Sequence, residues 1–173
     1  MAAAFSSVLL DTNIWIDLYL GYRAGSETAR RFVETAIEMD IGLLYAPTSS
    51  KDVFYIVAAD YKRSYRRDHG GSLSEGAARA ARQTAWACVD NMAELGSAVG
   101  CDESDVWFAR KQRGLHPDYE DNLIIAAAVR ADAGCVVTND RELVQHSPVA
   151  VLTCENALAY LHAFGNATDR DRA

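Results

Sequence analysis

The chain has 173 residues, half of them apolar, and a formal net charge of −7. This length and apolar content predict one compact domain with a substantial core. The acidic balance argues against a broad basic face for nucleic acid, although it is compatible with a local basic patch or a metal-mediated contact. We find neither the length and hydropathy of a membrane span nor the pattern of a signal peptide, and therefore expect a cytoplasmic protein.

Predicted strands and helices alternate along the chain. The first strand is "SVLL", residues 7–10, which is apolar throughout, as expected of a central parallel strand covered on both faces. The next elements are a helix over 26–39, a strand at "GLLYAP" and a helix beginning at "TSSKDVFY". They are followed by a loop at 67–77, a long helix at about 74–92, a weak strand in "ELGSAVG" and a short helix in "SDVWFARKQRG".

The last part of the chain continues this alternation. An Ala-rich helix has Pro117 in its first turn and ends at Gly134. The strand "CVVT", a turn of helix, the strand "VAVLT" and the helix "ENALAYLHAF" follow. The order of elements predicts an α/β fold with helices on both faces of a parallel sheet. We assign residues 1–164 to one domain and residues 165–173 to a frayed polar tail.

Cysteine and histidine are scattered along the chain and predict no zinc site. No two cysteines form a CxxC pair, and Cys135 lies in an apolar run, which favours reduced structural thiols. The four histidines are expected at surface or loop positions: His69, His116, His146 and His162.

Four aspartates lie where the predicted topology brings side chains to one end of the sheet. In open α/β sheets, ligands bind at the carboxyl ends of the strands. Asp11 ends the first strand, Asp52 is placed in the first turn of the helix after the second strand, Asp121 lies early in the Ala-rich helix, and Asp140 follows "CVVT". We expect these four to converge, whereas Asp17 is expected to be a surface acid.

Each of these acids also has a structural interpretation. Asp52 has the spacing to Ser49 of a capping box. Asp121 lies near a helix N-terminus, where the macrodipole favours carboxylates, and Asp140 is placed to cap the helix "RELV". Asp11 is harder to explain in this way, because it ends a continuous apolar strand, whereas a turn acid usually faces solvent.

A cluster of aspartates is chemically consistent with a divalent metal site. Carboxylates a few ångströms apart repel one another and raise one another's pKa unless a cation lies between them. Oxygen ligands without histidine or cysteine suit Mg²⁺ or Mn²⁺. The chemistry that such a site supports is the attack of a metal-activated water on a phosphodiester.

Four segments occur in this order: "LLDTNIWID", "TSSKDVFYIV", "PDYEDNLIIAAA" and "VVTNDREL". Together, these four segments resemble the motifs of PIN-domain ribonucleases, especially those of bacterial toxins of the VapC type. The likeness covers about residues 7–164, and "VAVLTCENALAYL" is similar to the last strand and helix of the family. The resemblance implies a three-layer α/β/α sandwich with a central parallel sheet, a Mg²⁺ or Mn²⁺ site and cleavage of single-stranded RNA.

The resemblance also implies roles for individual residues. The catalytic acids and metal ligands would be Asp11, Asp52, Asp121 and Asp140, with Asn13 and Thr138 in support and Asp118 assisting Asp121 or binding the metal through water. The second acid of the family is commonly glutamate, and Asp52 is shorter by one methylene, so it would bind the metal directly or through water. Residues 64–83 match no motif of the family.

The function implied by the resemblance is metal-dependent cleavage of single-stranded or structured RNA by the toxin of a toxin–antitoxin pair. A small antitoxin over the acidic site and a homodimer are then expected. Basic residues for RNA contact occur in two runs, in which a solvated helix face is the commoner explanation: Lys62, Arg63, Arg66 and Arg67, and Arg110 and Lys111.

Two other classes of protein are compatible with part of the pattern. A PIN-like module that has lost catalysis would bind RNA or protein without cleaving, and the short Asp52 side chain prompts this alternative. Phosphatases of the haloacid type and receiver domains also place an aspartate after the first strand. Asn13 stands where the phosphatase needs its second aspartate, and the paired acids and downstream lysine of a receiver have a different arrangement, which disfavours both.

Overall fold

A computed structural model describes residues 5–170 of the chain, with the backbone alone for residues 165–170. Strands and helices alternate as follows: β1 (Ser7–Leu10), α1 (Thr12–Tyr19), α2 (Ser26–Glu38), β2 (Gly42–Tyr45), α3 (Pro47–Asp68), α4 (Glu75–Leu95), β3 (Ser97–Ala98), α5 (Glu103–Gln112), α6 (Tyr119–Arg130), β4 (Val136–Thr138), α7 (Arg141–His146), β5 (Val151–Thr153) and α8 (Cys154–Arg170). The predicted strands and helices are therefore present, and α1 is an additional helix that the sequence prediction did not include.

The strands form one parallel sheet with β1 at its centre. The strand order is β3-β2-β1-β4-β5. Leu9 of β1 pairs with Leu44 of β2, and Leu10 pairs with Val137 of β4. All the carboxyl ends of the strands consequently lie at one edge, where β1 and β4 deliver the residues that follow them next to each other.

Two hydrophobic clusters cover the two faces of the sheet. Successive side chains of a strand point to opposite faces. Val8 and Leu10 pack in a cluster with α1, α2, α3, α4 and α8, while Leu9 packs with α6 and α7, against which Phe108 of α5 also lies. Trp15 and similar large side chains are fully buried, and each such burial contributes about 1.5–3 kcal/mol. The predicted three-layer α/β/α sandwich is confirmed.

The start of α3 differs from the sequence prediction. Ala46 is the N-cap and Pro47 the first residue of this helix, so Ser49 and Asp52 do not form a capping box. Asp52 lies in the second turn rather than the first. The Ser49 hydroxyl is instead buried and accepts a hydrogen bond from Thr12 Oγ1 at 2.9 Å, which ties α3 to α1.

Smaller differences occur at other helix ends. Asp118 is the N-cap of α6, so Pro117 precedes this helix and does not lie in its first turn. α8 continues to Arg170, beyond the end of the domain assigned from the sequence, and residues 171–173 of the assigned tail lie outside the described residues. None of the described helices has the length and hydropathy needed to cross a membrane.

Candidate functional site

Asp11 ends β1 and also caps α1. Its carboxylate is 5% exposed and accepts a hydrogen bond from Thr12 N at 2.5 Å and another from Thr138 Oγ1 at 2.6 Å. Burial raises the pKa of Asp11 above its ordinary value, and the hydrogen bond from Thr138 opposes this effect. The residue is therefore a helix cap whose charge is incompletely compensated.

Polar side chains hold Asp11 between the first and fourth strands. Asn13 Nδ2 donates to Asp11 Oδ2 at 2.5 Å and to Thr138 Oγ1 at 2.9 Å. Asn139 N donates in turn to Asn13 Oδ1 at 3.0 Å. The structure thus brings together residues separated by most of the chain, because β1 and β4 are neighbours in the sheet.

The predicted acids line one cleft, called the acid cleft below, at the carboxyl ends of the strands. Its volume is about 430 Å³, and the charged residues that line it are Asp11, Arg23, Asp52, Asp118, Glu120, Asp121 and Asp140. Asp118 caps α6 by accepting from Glu120 N at 2.8 Å, and Asp140 caps α7 by accepting from Glu142 N at 2.7 Å. Capping and a position in the acid cleft are therefore compatible for both aspartates.

Glu120 is a residue of the acid cleft that sequence reasoning missed. Its pKa is raised to about 7, first by desolvation and then by a hydrogen bond with Asp52 and the charge of that residue. Asp52 Oδ2 is buried and has no hydrogen-bond partner of good geometry among the described residues, while its Oδ1 lies 2.9 Å from Lys51 Nζ. The sequence feature that could have revealed Glu120 is its position in the same helical turn as Asp121.

Asp121 lies beside a buried histidine. Burial raises the pKa of Asp121 to about 6, with smaller contributions from the charges of Asp11 and Asp118. His116 Nδ1 lies 3.5 Å from Asp121 Oδ2, and His116 is only 4% exposed. His116 lies in the loop between α5 and α6, so the loop alternative of its prediction holds, but the side chain is buried and not at the surface.

Asp17 is also buried, and its prediction as a surface acid is wrong. It is 4% exposed, pairs with Arg23 Nε and accepts from Asn139 Nδ2 at 2.9 Å. Its charge is stabilised by groups from the loop after α1 and the loop after β4. Helical spacing alone could not reveal these two partners.

The donor set of the acid cleft fits a hard divalent cation. Within residues 5–170, no three or more Asp, Glu, His or Cys side chains are already arranged to hold a metal ion. The raised pKa of Asp11 and of Asp121 nevertheless shows carboxylates whose charge is incompletely compensated, and Asp52 keeps one buried oxygen without a hydrogen-bond partner among the described residues. Mg²⁺ keeps several waters and needs only one or two direct carboxylates, so these residues fit it without a complete protein cage.

The predicted RNA-contact residues lie at two separate places. Lys62, Arg63 and Arg66 line a groove of about 570 Å³ with Tyr55 of α3 and Arg82 of α4, called the α3–α4 groove below. The other candidates lie outside that groove. Arg67 donates to Ser64 Oγ at 3.0 Å, and Arg110 and Lys111 line another cavity with Trp107.

The fold and the acid cleft define an α/β protein with a carboxylate site at the ends of its central parallel strands. The sequence profile of the PIN domain matches residues 7–142. The chain belongs to the PIN domain family. No curated protein sequence matches it.

Solved structures with the same fold include two VapBC complexes. VapBC2 from Rickettsia felis, bound to a DNA fragment from its promoter, is 13% identical with a TM-score of 0.59 over 85% of this chain and 98% of that chain. VapBC-1 from nontypeable Haemophilus influenzae is 13% identical with a TM-score of 0.57 over 86% and 98%. PAE2754 from Pyrobaculum aerophilum is 16% identical with a TM-score of 0.51 over 91% and 90%. At these identities the likeness shows the fold alone.

Proposed function

We propose that this protein is a divalent-metal-dependent endoribonuclease and the toxin of a toxin–antitoxin pair. The observation that carries the proposal is the convergence of six carboxylates in one cleft at the carboxyl ends of β1 and β4. Membership of the PIN domain family, whose members are nucleases, supports hydrolysis of a phosphodiester. Perturbed pKa values in a cleft are typical of functional sites.

The metal ligands in this proposal are carboxylates of the acid cleft: Asp11, Asp121 and Asp140, with Asp52 and Asp118 binding directly or through water. Bound Mg²⁺ or Mn²⁺ would activate water and neutralise charge that develops on the phosphate. Thr138 and Asn13 keep the Asp11 carboxylate in place through their hydrogen bonds. Glu120 lies beside Asp52 and offers the longer acidic side chain that the second acid of the family commonly has.

The substrate path we propose runs from the acid cleft along one face of α3. Asp52, Tyr55 and Arg66 have helical spacing that places them on one stripe, and Asp52 and Arg66 are about 21 Å apart at 1.5 Å per residue. Tyr55 is 65% exposed and is available for stacking on a base, and Arg66 is available for phosphates. Arg63 lines the same groove and has one long ion pair, 3.4 Å from Nη1 to Asp60 Oδ1. Single-stranded RNA in the acid cleft would thus continue into the α3–α4 groove.

Partners and location complete the proposal. Similarity in fold to two VapBC structures supports a small antitoxin as the partner. A basic side chain of such an antitoxin would complement the acid cleft. A homodimer, a cytoplasmic location and a single domain over residues 1–164 are further parts of the proposal.

The decisive experiment is cleavage of a labelled single-stranded RNA with Mn²⁺ or Mg²⁺ and with EDTA. We expect Asp11→Asn to reduce the cleavage rate by about 100-fold or more, because it removes a charge on which metal binding depends. The matched control is Asp90→Asn on the exposed face of α4, which should leave the rate unchanged. Equal activity of wild type and Asp11→Asn with metal and with EDTA, or no cleavage of any RNA tried, would contradict the proposal.

The substrate path has its own test in RNA binding. The variant Arg63→Ala/Arg66→Ala should bind single-stranded RNA about 10-fold more weakly and with a shallower dependence on salt. Arg67→Ala is the matched control, because Arg67 lies on the same helix but does not line the α3–α4 groove. Equal affinities for the two variants would exclude this path.

A PIN-like module that binds RNA without cleaving it is the second candidate function. It is favoured by the lack, within residues 5–170, of a preassembled group of metal-binding side chains. This candidate predicts that wild type and Asp11→Asn bind the same RNA with similar affinity and that neither cleaves it with Mn²⁺.

A further inference from the structure

Arg23 is a cation on the rim of the acid cleft. It lies in the loop between α1 and α2 and lines this cleft together with the carboxylates. Its Nε is bound by Asp17, which is 4% exposed. The side chain of Arg23 itself is 43% exposed, and its other N–H groups make no hydrogen bond to the described residues. A buried acid therefore holds an arginine whose remaining donors are available.

The loop is shaped around this ion pair. A Cβ added to Gly25 would lie 2.1 Å from Asp17 Oδ2, so only glycine allows the backbone to approach so closely. Asp17 also accepts from Asn139, the residue between Thr138 and Asp140. The position of Arg23 is consequently coupled to the end of β4, where two proposed site residues lie.

Stability alone does not explain this arrangement well. An ion pair between a buried acid and a half-exposed arginine is weak evidence for stability, since desolvation of the acid offsets much of the attraction. An anionic substrate in a cleft of carboxylates, however, needs positive charge in addition to the metal. Arginine suits that role, because its planar donors match the geometry of phosphate oxygens.

We propose that Arg23 binds a non-bridging oxygen of the RNA phosphodiester in the acid cleft, and that Asp17 and Asn139 position its guanidinium. The inference rests on the proposed function and deepens it. Asp17 holds Nε, which keeps the arginine from closing over the neighbouring carboxylates and leaves the terminal nitrogens for the phosphate.

The experiment compares wild type with Asp17→Asn/Arg23→Gln, which removes both charges of the pair and so leaves no unpaired buried charge. Thermal denaturation, with and without Mn²⁺, reports whether this variant folds and whether it keeps its response to metal. We expect an unchanged response to Mn²⁺ and a rate of RNA cleavage lower by about 10- to 100-fold. Arg31→Ala, an exposed arginine on α2, is the matched control and should cleave at the wild-type rate.

Arg23→Lys and an assay of binding complete the test. Lysine keeps the charge but loses the planar donors, so it should restore only part of the cleavage rate. Fluorescence anisotropy with a labelled single-stranded RNA in Ca²⁺ should show weaker binding by the double variant.

Cleavage by the double variant at the wild-type rate would overturn the role of Arg23 while leaving the nuclease intact. A wild type that binds RNA without cleaving it would contradict the nuclease, and the binding assay would still decide the role of Arg23. A wild type that neither cleaves nor binds RNA would overturn both proposals.

Discussion

Two groups of carboxylates in the molecule differ in how their charge is compensated. Between α5 and α6, Arg130 Nη2 lies 2.7 Å from Asp102 Oδ1 and 2.9 Å from Asp105 Oδ2. Arg130 holds the pKa of Asp105 below its ordinary value, although Asp105 is only 6% exposed. In the acid cleft, burial raises the pKa of Asp121 to about 6. The difference is that an arginine pairs with Asp105, whereas neither arginine nor lysine pairs with Asp121 among the described residues.

This comparison separates structural acids from functional ones. Asp105 completes a capping box by accepting from Asp102 N at 2.7 Å, and its charge is balanced at the same time. Asp11 is equally buried and also caps a helix, but burial raises its pKa and the charge of Asp140 raises it further. Burial and helix capping are thus common to Asp105 and Asp11. An incompletely compensated charge distinguishes Asp11 and the acid cleft, which we propose to bind a metal.

The largest expected effect is the response to metal. Mn²⁺ at about 100 times its Kd should stabilise the wild type by roughly 2.7 kcal/mol and raise its Tm by about 5–10 °C. Asp121→Asn should lose most of this shift. Asp105→Asn should keep it despite a lower starting Tm, since its carboxylate lies outside the acid cleft. Equal shifts in the two variants, measured by thermal denaturation, would remove the distinction between the two places.

A smaller effect is expected at the balanced cluster. Arg130→Met should lower the Tm at pH 7, because it leaves the Asp105 carboxylate buried without its cation. The lowered pKa of Asp105 gives stability that is fully present above about pH 4 and is lost as the pH falls through the folded-state value. The difference from wild type should therefore shrink toward pH 2. Arg30→Met, which breaks exposed pairs with Glu27 and Glu34, is the control.

The smallest effect has the opposite sign and concerns the metal-free protein. The raised pKa of Asp121 means that the folded state binds this proton more tightly, so stability is highest below about pH 4 and decreases as the pH rises through about 6. In EDTA at pH 7, Asp121→Asn should consequently be more stable than wild type by roughly 1 kcal/mol. The two proteins should have nearly the same Tm at pH 4, and a lower Tm for the variant at pH 7 would contradict the argument.

Sequence patterns predicted the sheet and most of the acid cleft, because both depend on local features. An apolar strand followed at once by Asp11, and "CVVT" followed by Asp140, place acids at strand ends without any knowledge of tertiary contacts. Asp17 was wrongly predicted as a surface acid, and the burial of His116 within its loop was not foreseen, because both depend on tertiary contacts. Sequence reasoning assigned no role to Glu120, because nothing in its local pattern shows that the first turn of α6 comes close to Asp52.

The central position of β1 has a consequence for how the site responds to local opening. Val8, Leu9 and Leu10 are almost fully buried, and their backbone is paired with a strand on each side. Segments of this kind exchange their amide hydrogens only in the rarest and most extensive openings of a protein. Asp11 is attached directly to such a segment, whereas Arg23 and Glu120 reach the acid cleft from its periphery. A local opening of the loop after α1 would therefore displace Arg23 while the first carboxylate stays at the end of the strand.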